Sequence, residues 1–114
     1  MTATETIVPG SLLADEIDTL RNSAHCASQL LKQLANEQRL LILCKLMEGE
    51  CSVTYLAEHV GLAQSATSQH LAKLRESGLL ATRREAQSIF YRIGDENTVR
   101  VLRTLCDIFQ PGRH

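Results

Sequence analysis

Between Ser52 and Ile93, two helix-length runs lie only three residues apart and are followed at once by two strand-length runs. Few folds accommodate that order. Ser52 carries a side-chain acceptor suited to cap a helix over Val53–Val60, and Gly61 suits its end. Gly61-Leu62-Ala63 leaves room for a tight turn alone, so a second helix begins near Ala63 to Ser65 and runs to about Ser77, closed by Gly78. Leu80–Arg84 and Ile89–Ile93 follow, the second rich in β-branched and aromatic residues. They predict a hairpin around Glu85-Ala86-Gln87-Ser88. That connection contains no Gly, so its turn type stays open at this level. Helix, tight turn, helix and hairpin together make a winged helix-turn-helix.

The flanks add helices. From Leu12 to Leu34 the apolar positions Leu13, Ile17, Leu20, Ala24, Ala27, Leu31 and Leu34 recur every three or four residues, the pattern of one amphipathic helix. Asn36 can cap another through Met47. Its Leu40, Leu41, Leu43, Cys44 and Met47 occupy more than one side, as in a central core helix, and Gly49 is expected to supply its left-handed stop. Asp95 can cap a last helix carrying Thr98, Val99, Val101, Leu102, Leu105, Cys106 and Phe109 at helical spacing, with Pro111 as its stop. Residues 1–11 lack periodicity and read as a flexible tail ahead of one domain over 12–110. The expected fold is mainly α with a small β-hairpin, in the order α-α-α-α-β-β-α. With aromatics at 4% and no Trp, its core must be aliphatic.

Several function classes drop out. Apolar stretches of a few residues fall far short of the roughly 20 that cross a bilayer, and no basic segment leads into an apolar one at the N-terminus. A cytoplasmic protein that makes no use of a membrane is expected. No nucleophile–base motif and no Gly-rich phosphate loop point to an enzyme, and no cofactor is expected.

Charge is uneven beneath the net −1. Residues 61–92 hold five basic side chains against two acidic, whereas residues 1–60 hold four against eight. A polyanion-binding protein needs only local basicity, because only the contacting face releases counterions. On a helix, Leu71 and Leu74 share a face with Ala66 or Thr67 and must turn to the core. Gln64, Ser65, Ser68, Gln69 and Lys73 then point away, with Thr67 and His70 at the margins. Amides and short hydroxyls on a face free of carboxylates suit the major groove, where Gln pairs with adenine and Ser or Thr serves bases or phosphates. Arg83, Arg84 and Gln87 at the hairpin tip are placed to reach backbone or minor groove. An ordinary exposed polar helix would share this composition. The tight turn before it and the basic hairpin after it favour DNA.

The runs Leu34-Ala-Asn-Glu-Gln-Arg-Leu-Leu-Ile-Leu43, Leu56-Ala-Glu58, Gln64-Ser-Ala-Thr-Ser-Gln-His-Leu71, Leu74-Arg-Glu-Ser-Gly-Leu79 and Phe90-Tyr-Arg-Ile93 resemble the ArsR/SmtB family of winged-helix repressors. The resemblance spans roughly residues 25–110 and is nearest to the family's thiol-based branch, which senses reactive sulfur or oxidants. It implies a homodimer joined through the first and last helices, bound to an inverted-repeat operator until an inducer acts. The sequence independently favours that dimer, since two long terminal helices carry more apolar face than a thin core can cover.

Cys26, Cys44, Cys51 and Cys106 are scattered without a Cys-x-x-Cys pair, which in a reducing compartment favours free thiols. Read from its neighbours alone, Cys44 is a small core hydrophobe. The resemblance implies a switch between Cys44 and a cysteine late in the last helix. That second cysteine would fall at Gln110, one turn beyond Cys106, and positions four apart share a helix face. The expected pair is therefore Cys44 and Cys106, joined as a disulfide or through added sulfur atoms; Cys26 and Cys51 are expected bystanders. The family's zinc sensors use two nearby cysteines or His and Asp on the last helix. Here His25, His59, His70 and His114 lie elsewhere, so no metal site is expected, and an arsenite or metal sensor remains the alternative.

Overall fold

The computed structural model describes residues 13–112; the expected tail at 1–11, the helix start at Leu12, and His114 lie outside them. The chain divides into two compact units, one ending at Leu31 and the other beginning at Lys32.

In the first unit the single helix expected over 12–34 is two: α1 (Ala14–Asn22) and α2 (Ala24–Leu34), whose last turn enters the second unit. The break falls at Ser23, with φ −102° and ψ 9°. Asn and Ser side chains compete with the helix for its backbone groups, and Asn22-Ser23 sets two of them in succession. Hydrogen bonding nearly continues through the break: the Ser23 N–H donates to Thr19 and Leu20, and Ala27 N–H donates to Ser23. Along these helices Leu13, Ile17, Leu20 and Leu31 are exposed, a stripe of large apolar side chains facing water.

The second unit holds α3 (Glu37–Leu46), β1 (Cys51–Ser52), α4 (Val53–Val60), α5 (Gln64–Glu76), β2 (Leu80–Glu85), β3 (Ser88–Ile93) and α6 (Glu96–Phe109). The caps fall where their side chains direct. Asn36 Oδ1 accepts from Arg39 N–H at 3.0 Å, Ser52 Oγ from Tyr55 N–H at 3.2 Å, and Asp95 Oδ2 from Thr98 N–H at 3.0 Å. Gly49, expected as a left-handed stop, has φ 149°, outside that well; α3 ends earlier, at Leu46, with Met47 as its C-cap. The core is aliphatic, with Ile42, Leu43, Leu56, Leu71, Leu74 and Leu102 almost wholly buried. Helix α3 is not buried all round as its sequence suggested: Leu41 and Cys44 face out.

The sheet has one strand more than expected. Its order is β1-β3-β2, with both pairings antiparallel. Strand β1 is two residues long, Cys51 opposite Tyr91 and Ser52 opposite Phe90, too short to leave a periodic signal. The hairpin register pairs Glu85 with Ser88, so the turn is only Ala86-Gln87, and Ala86 takes φ 57°. Beyond β3, Gly94 packs so closely that a Cβ there would lie 2.9 Å from that of Ala81.

Candidate nucleic-acid interface and thiol pair

Helix α5 presents two chemically different faces. Leu71 and Leu74 are buried, as their spacing demands, and Gln64, Ser65, Ser68, Gln69 and Lys73 lie on the exposed side. Thr67 corrects the expected DNA-contacting set. It is fully buried, and its hydroxyl donates to the Ala63 carbonyl at 3.0 Å, so it faces the core rather than a groove. The first turn of α5 has no acidic side chain and no side-chain cap. Its free N–H groups and dipole favour a phosphate.

His70 is half-buried and already engaged. Its Nε2–H donates to Gln38 Oε1 on α3 at 3.0 Å. Burial, then the cations Arg39 and Lys73, lower its pKa below the ordinary histidine value, so the ring is neutral at pH 7. The expected groove-margin residue thus also links two helices.

On the wing the two arginines differ. Arg83 Nε donates to Glu50 Oε1 at 2.7 Å and Nη1 to Glu85 Oε1 at 2.8 Å, while its guanidinium lies 4.8 Å from the Phe90 ring centre. Arg84 is exposed and forms no ion pair with any described residue, and Gln87 is exposed at the turn. Successive strand residues point to opposite faces, so β2 lays one exposed guanidinium across the sheet towards Glu50 and offers the other on the opposite face. Nothing in the sequence marks Glu50 or Gln38 as functional. Each partners a side chain more than thirty positions away, a relation no local pattern carries.

Cys44 on α3 and Cys106 on α6 are both exposed free thiols. Partial enclosure of the sulfur, and then the nearby Cys106 thiolate, push the Cys44 pKa up. Cys106 therefore acts electrostatically on Cys44, although 62 positions of sequence separate them. Cys26 is exposed on α2, in the other unit. Cys51 is buried in β1, its thiol donating to the Gly49 carbonyl at 3.4 Å, beside a cleft of about 340 Å³ that Lys45, Glu48, Tyr55 and Phe90 also line. Among the described residues no group of three or more His, Cys, Asp or Glu side chains is clustered to hold a metal ion, and no helix is long and apolar enough to cross a membrane.

The sequence signature of bacterial regulatory proteins of the arsR family matches residues 36–82. The transcriptional activator HlyU of Vibrio cholerae is 48% identical over 85 residues, which cover 75% of this chain and 78% of that one. The structure of reduced HlyU superposes with a TM-score of 0.74 at 44% identity, covering 82% of this chain and 97% of that chain. The AntR antimony-specific transcriptional repressor superposes with a TM-score of 0.77 at 32% identity, over 97% and 100%. A homodimeric winged helix-turn-helix DNA-binding domain from Mycobacterium bovis does so with a TM-score of 0.67 at 28% identity, over 87% and 88%. With a polar helix presented beside a basic wing, and relatives that are transcriptional regulators rather than enzymes, the chain belongs to the arsR family of DNA-binding bacterial regulatory proteins.

Proposed function

We propose that the protein is a homodimeric repressor acting on an inverted-repeat operator in the cytoplasm, released when reactive sulfur or an oxidant bridges Cys44 and Cys106. The observation that carries this reading is that Cys44 on α3 and Cys106 on α6 are both exposed free thiols, with Cys106 acting electrostatically on Cys44. With peroxide, one thiolate is oxidised to a sulfenic acid and the other displaces water from it, so two electrons pass to the peroxide and a disulfide forms. An organic polysulfide is itself the oxidant. Thiolate attack breaks one of its S–S bonds, and the second thiolate expels the remaining sulfur leaving group, which keeps or removes the intervening sulfur. Neither route uses a cofactor. Gln64, Ser65, Ser68, Gln69 and Lys73 of α5 enter the major groove, and Arg84 and Gln87 of the wing reach the flanking backbone.

The exposed apolar stripe of α1 and α2, and Ile108 and Phe109 near the end of α6, supply the surface for pairing two copies through the first and last helices. Helix α3 carries both Cys44 and Gln38, the hydrogen-bond partner of His70 on α5. A bridge that drew α3 towards α6 would therefore also pull on the recognition helix. A coupling of about 1–3 kcal/mol, or roughly 5–150-fold in affinity, makes a useful switch.

Cys44→Ser and Cys106→Ser are each expected to bind operator as the unaltered protein does and to stay bound after peroxide, diamide or polysulfide. Gel-shift assays, paired with non-reducing mass spectrometry of the treated protein, check this; release of DNA from both variants would retire the switch. The raised Cys44 pKa implies that bridging accelerates as pH rises towards that value, because the thiolate is the reacting form. The similarity to an antimony-specific repressor favours a second reading, in which the same thiolates bind a thiophilic metalloid or metal ion. A stoichiometric, Cys44-dependent arsenite titration that frees DNA would select it.

A further inference from the structure

We propose that Glu50 and Arg83 form a clasp that sets the wing against the helix-turn-helix, so that Arg83 is a positioning residue for DNA binding and not a phosphate contact. Glu50 stands immediately before β1, and β1 runs directly into α4 through Ser52, the cap of that helix. It is therefore tied to the helix-turn-helix. Arg83 belongs to β2, the strand farthest from β1 in the sheet. Backbone pairing links β1 to the wing through two residue pairs only, Cys51 with Tyr91 and Ser52 with Phe90. The Arg83 side chain spans β3 by crossing the ring of Phe90, its direct cross-strand partner, and reaches Glu50 Oε1 with both Nε, at 2.7 Å, and Nη2, at 2.5 Å. This adds a side-chain tie where the backbone ladder is shortest.

The charge arrangement fits the same role. Two carboxylates, of Glu50 and Glu85, engage the one guanidinium, with Arg92 also acting on Glu50, so the donors of Arg83 are already occupied when a DNA phosphate approaches. Arg84, on the opposite face, carries no such partner among the described residues. Both the Glu50 carboxyl, held below the usual range by Arg83, and the Arg83 guanidinium, held further towards its charged form, remain ionised throughout the physiological range. Exposed ion pairs contribute little to stability. The effect expected here is on orientation, which is what a wing needs when base contacts are made from a different element.

The two roles predict opposite signs at Glu50. If Arg83 touched phosphate, Glu50→Gln would free it and remove a repelling charge, and binding would tighten or stay the same. If the clasp positions the wing, Glu50→Gln weakens binding by about three- to tenfold despite the loss of a negative charge. Arg83→Gln then weakens it by a similar factor, and the double variant is no worse than either single one. The probe is a fluorescent duplex of about 30 base pairs, long enough for two half-sites, selected from a random pool by the unaltered full-length protein. Anisotropy titrations at several salt concentrations give affinity and salt slope, and thermal melts confirm that each variant is folded. Under the clasp, Arg83→Gln leaves the slope of log affinity against log salt unchanged; losing a phosphate contact lowers it by about 1. Glu50→Asp, which keeps the charge but shortens the reach, is expected to behave as Glu50→Gln does. Tighter or unchanged binding by Glu50→Gln or Glu50→Asp, or a reduced slope for Arg83→Gln, overturns the proposal. Should Gln69→Ala and Arg84→Gln also leave affinity unchanged, the groove-and-wing placement fails with it; normal losses there confine the failure to the clasp.

Discussion

His70 shows how one side chain's surroundings add a role that its place in the sequence does not announce. Its place in a polar helix suggests a groove, and its Nε2–H also donates to Gln38, 3.0 Å away on α3. Burial with Arg39 and Lys73 nearby disfavours the imidazolium. The folded pKa is therefore below the unfolded value of about 6.5, and the unfolded chain binds more protons between the two. Stability follows: full above the unfolded pKa, it declines as pH falls from there through the folded value. Urea midpoints of the unaltered protein should drop over that interval more steeply than those of His70→Gln, which has no proton to gain. Parallel curves would remove His70 as the cause. Thr67 carries the same lesson, since a hydroxyl able to read DNA is instead satisfied by the carbonyl one turn back and sealed in the core.

At the scale of elements, helix ends were legible because their determinants are local. Asn36, Ser52 and Asp95 each cap the helix that follows them, and Gly61 takes the left-handed conformation after α4. Sequence predicts one long N-terminal helix because apolar spacing runs unbroken across Ser23, whereas the backbone does not. Strand β1 leaves no sequence signal because a two-residue strand exists only through its partner. The junction from β3 to α6 is tight for a reason absent from any hydrophobic pattern. Gly94 N–H donates to the Leu79 carbonyl at 2.9 Å, and a Cβ would press on the Cβ and backbone nitrogen of Ala81. Neither neighbour is the movable end of a long side chain. Gly94→Ala is expected to cost about 1–3 kcal/mol, the usual range for overpacking, read as a lower denaturant midpoint at unchanged slope. A variant as stable as the parent would show that β2 and β3 separate there without penalty.

For the whole molecule, the proposed dimer is the feature on which two-site operator binding rests. Phe109 is 76% exposed and Leu20 61%, high values for side chains of that size. Phe109→Glu and Leu20→Glu should each shift the protein towards monomer in sedimentation experiments and steepen the concentration dependence of operator binding. Unchanged sedimentation in both would move the interface elsewhere. The order of helices and hairpin, the caps, and the outward polar side of α5 followed from sequence, because each depends on neighbours within a turn or a strand pair. What only the tertiary structure decided were relations across long stretches of chain: Gln38 with His70, Glu50 with Arg83, and the electrostatic influence of Cys106 on Cys44. The physical reason is range. Backbone conformation and amphipathicity are set by contacts a few residues apart, whereas the charge state of a thiol and the partner of a guanidinium are set by whatever the closed fold brings alongside them.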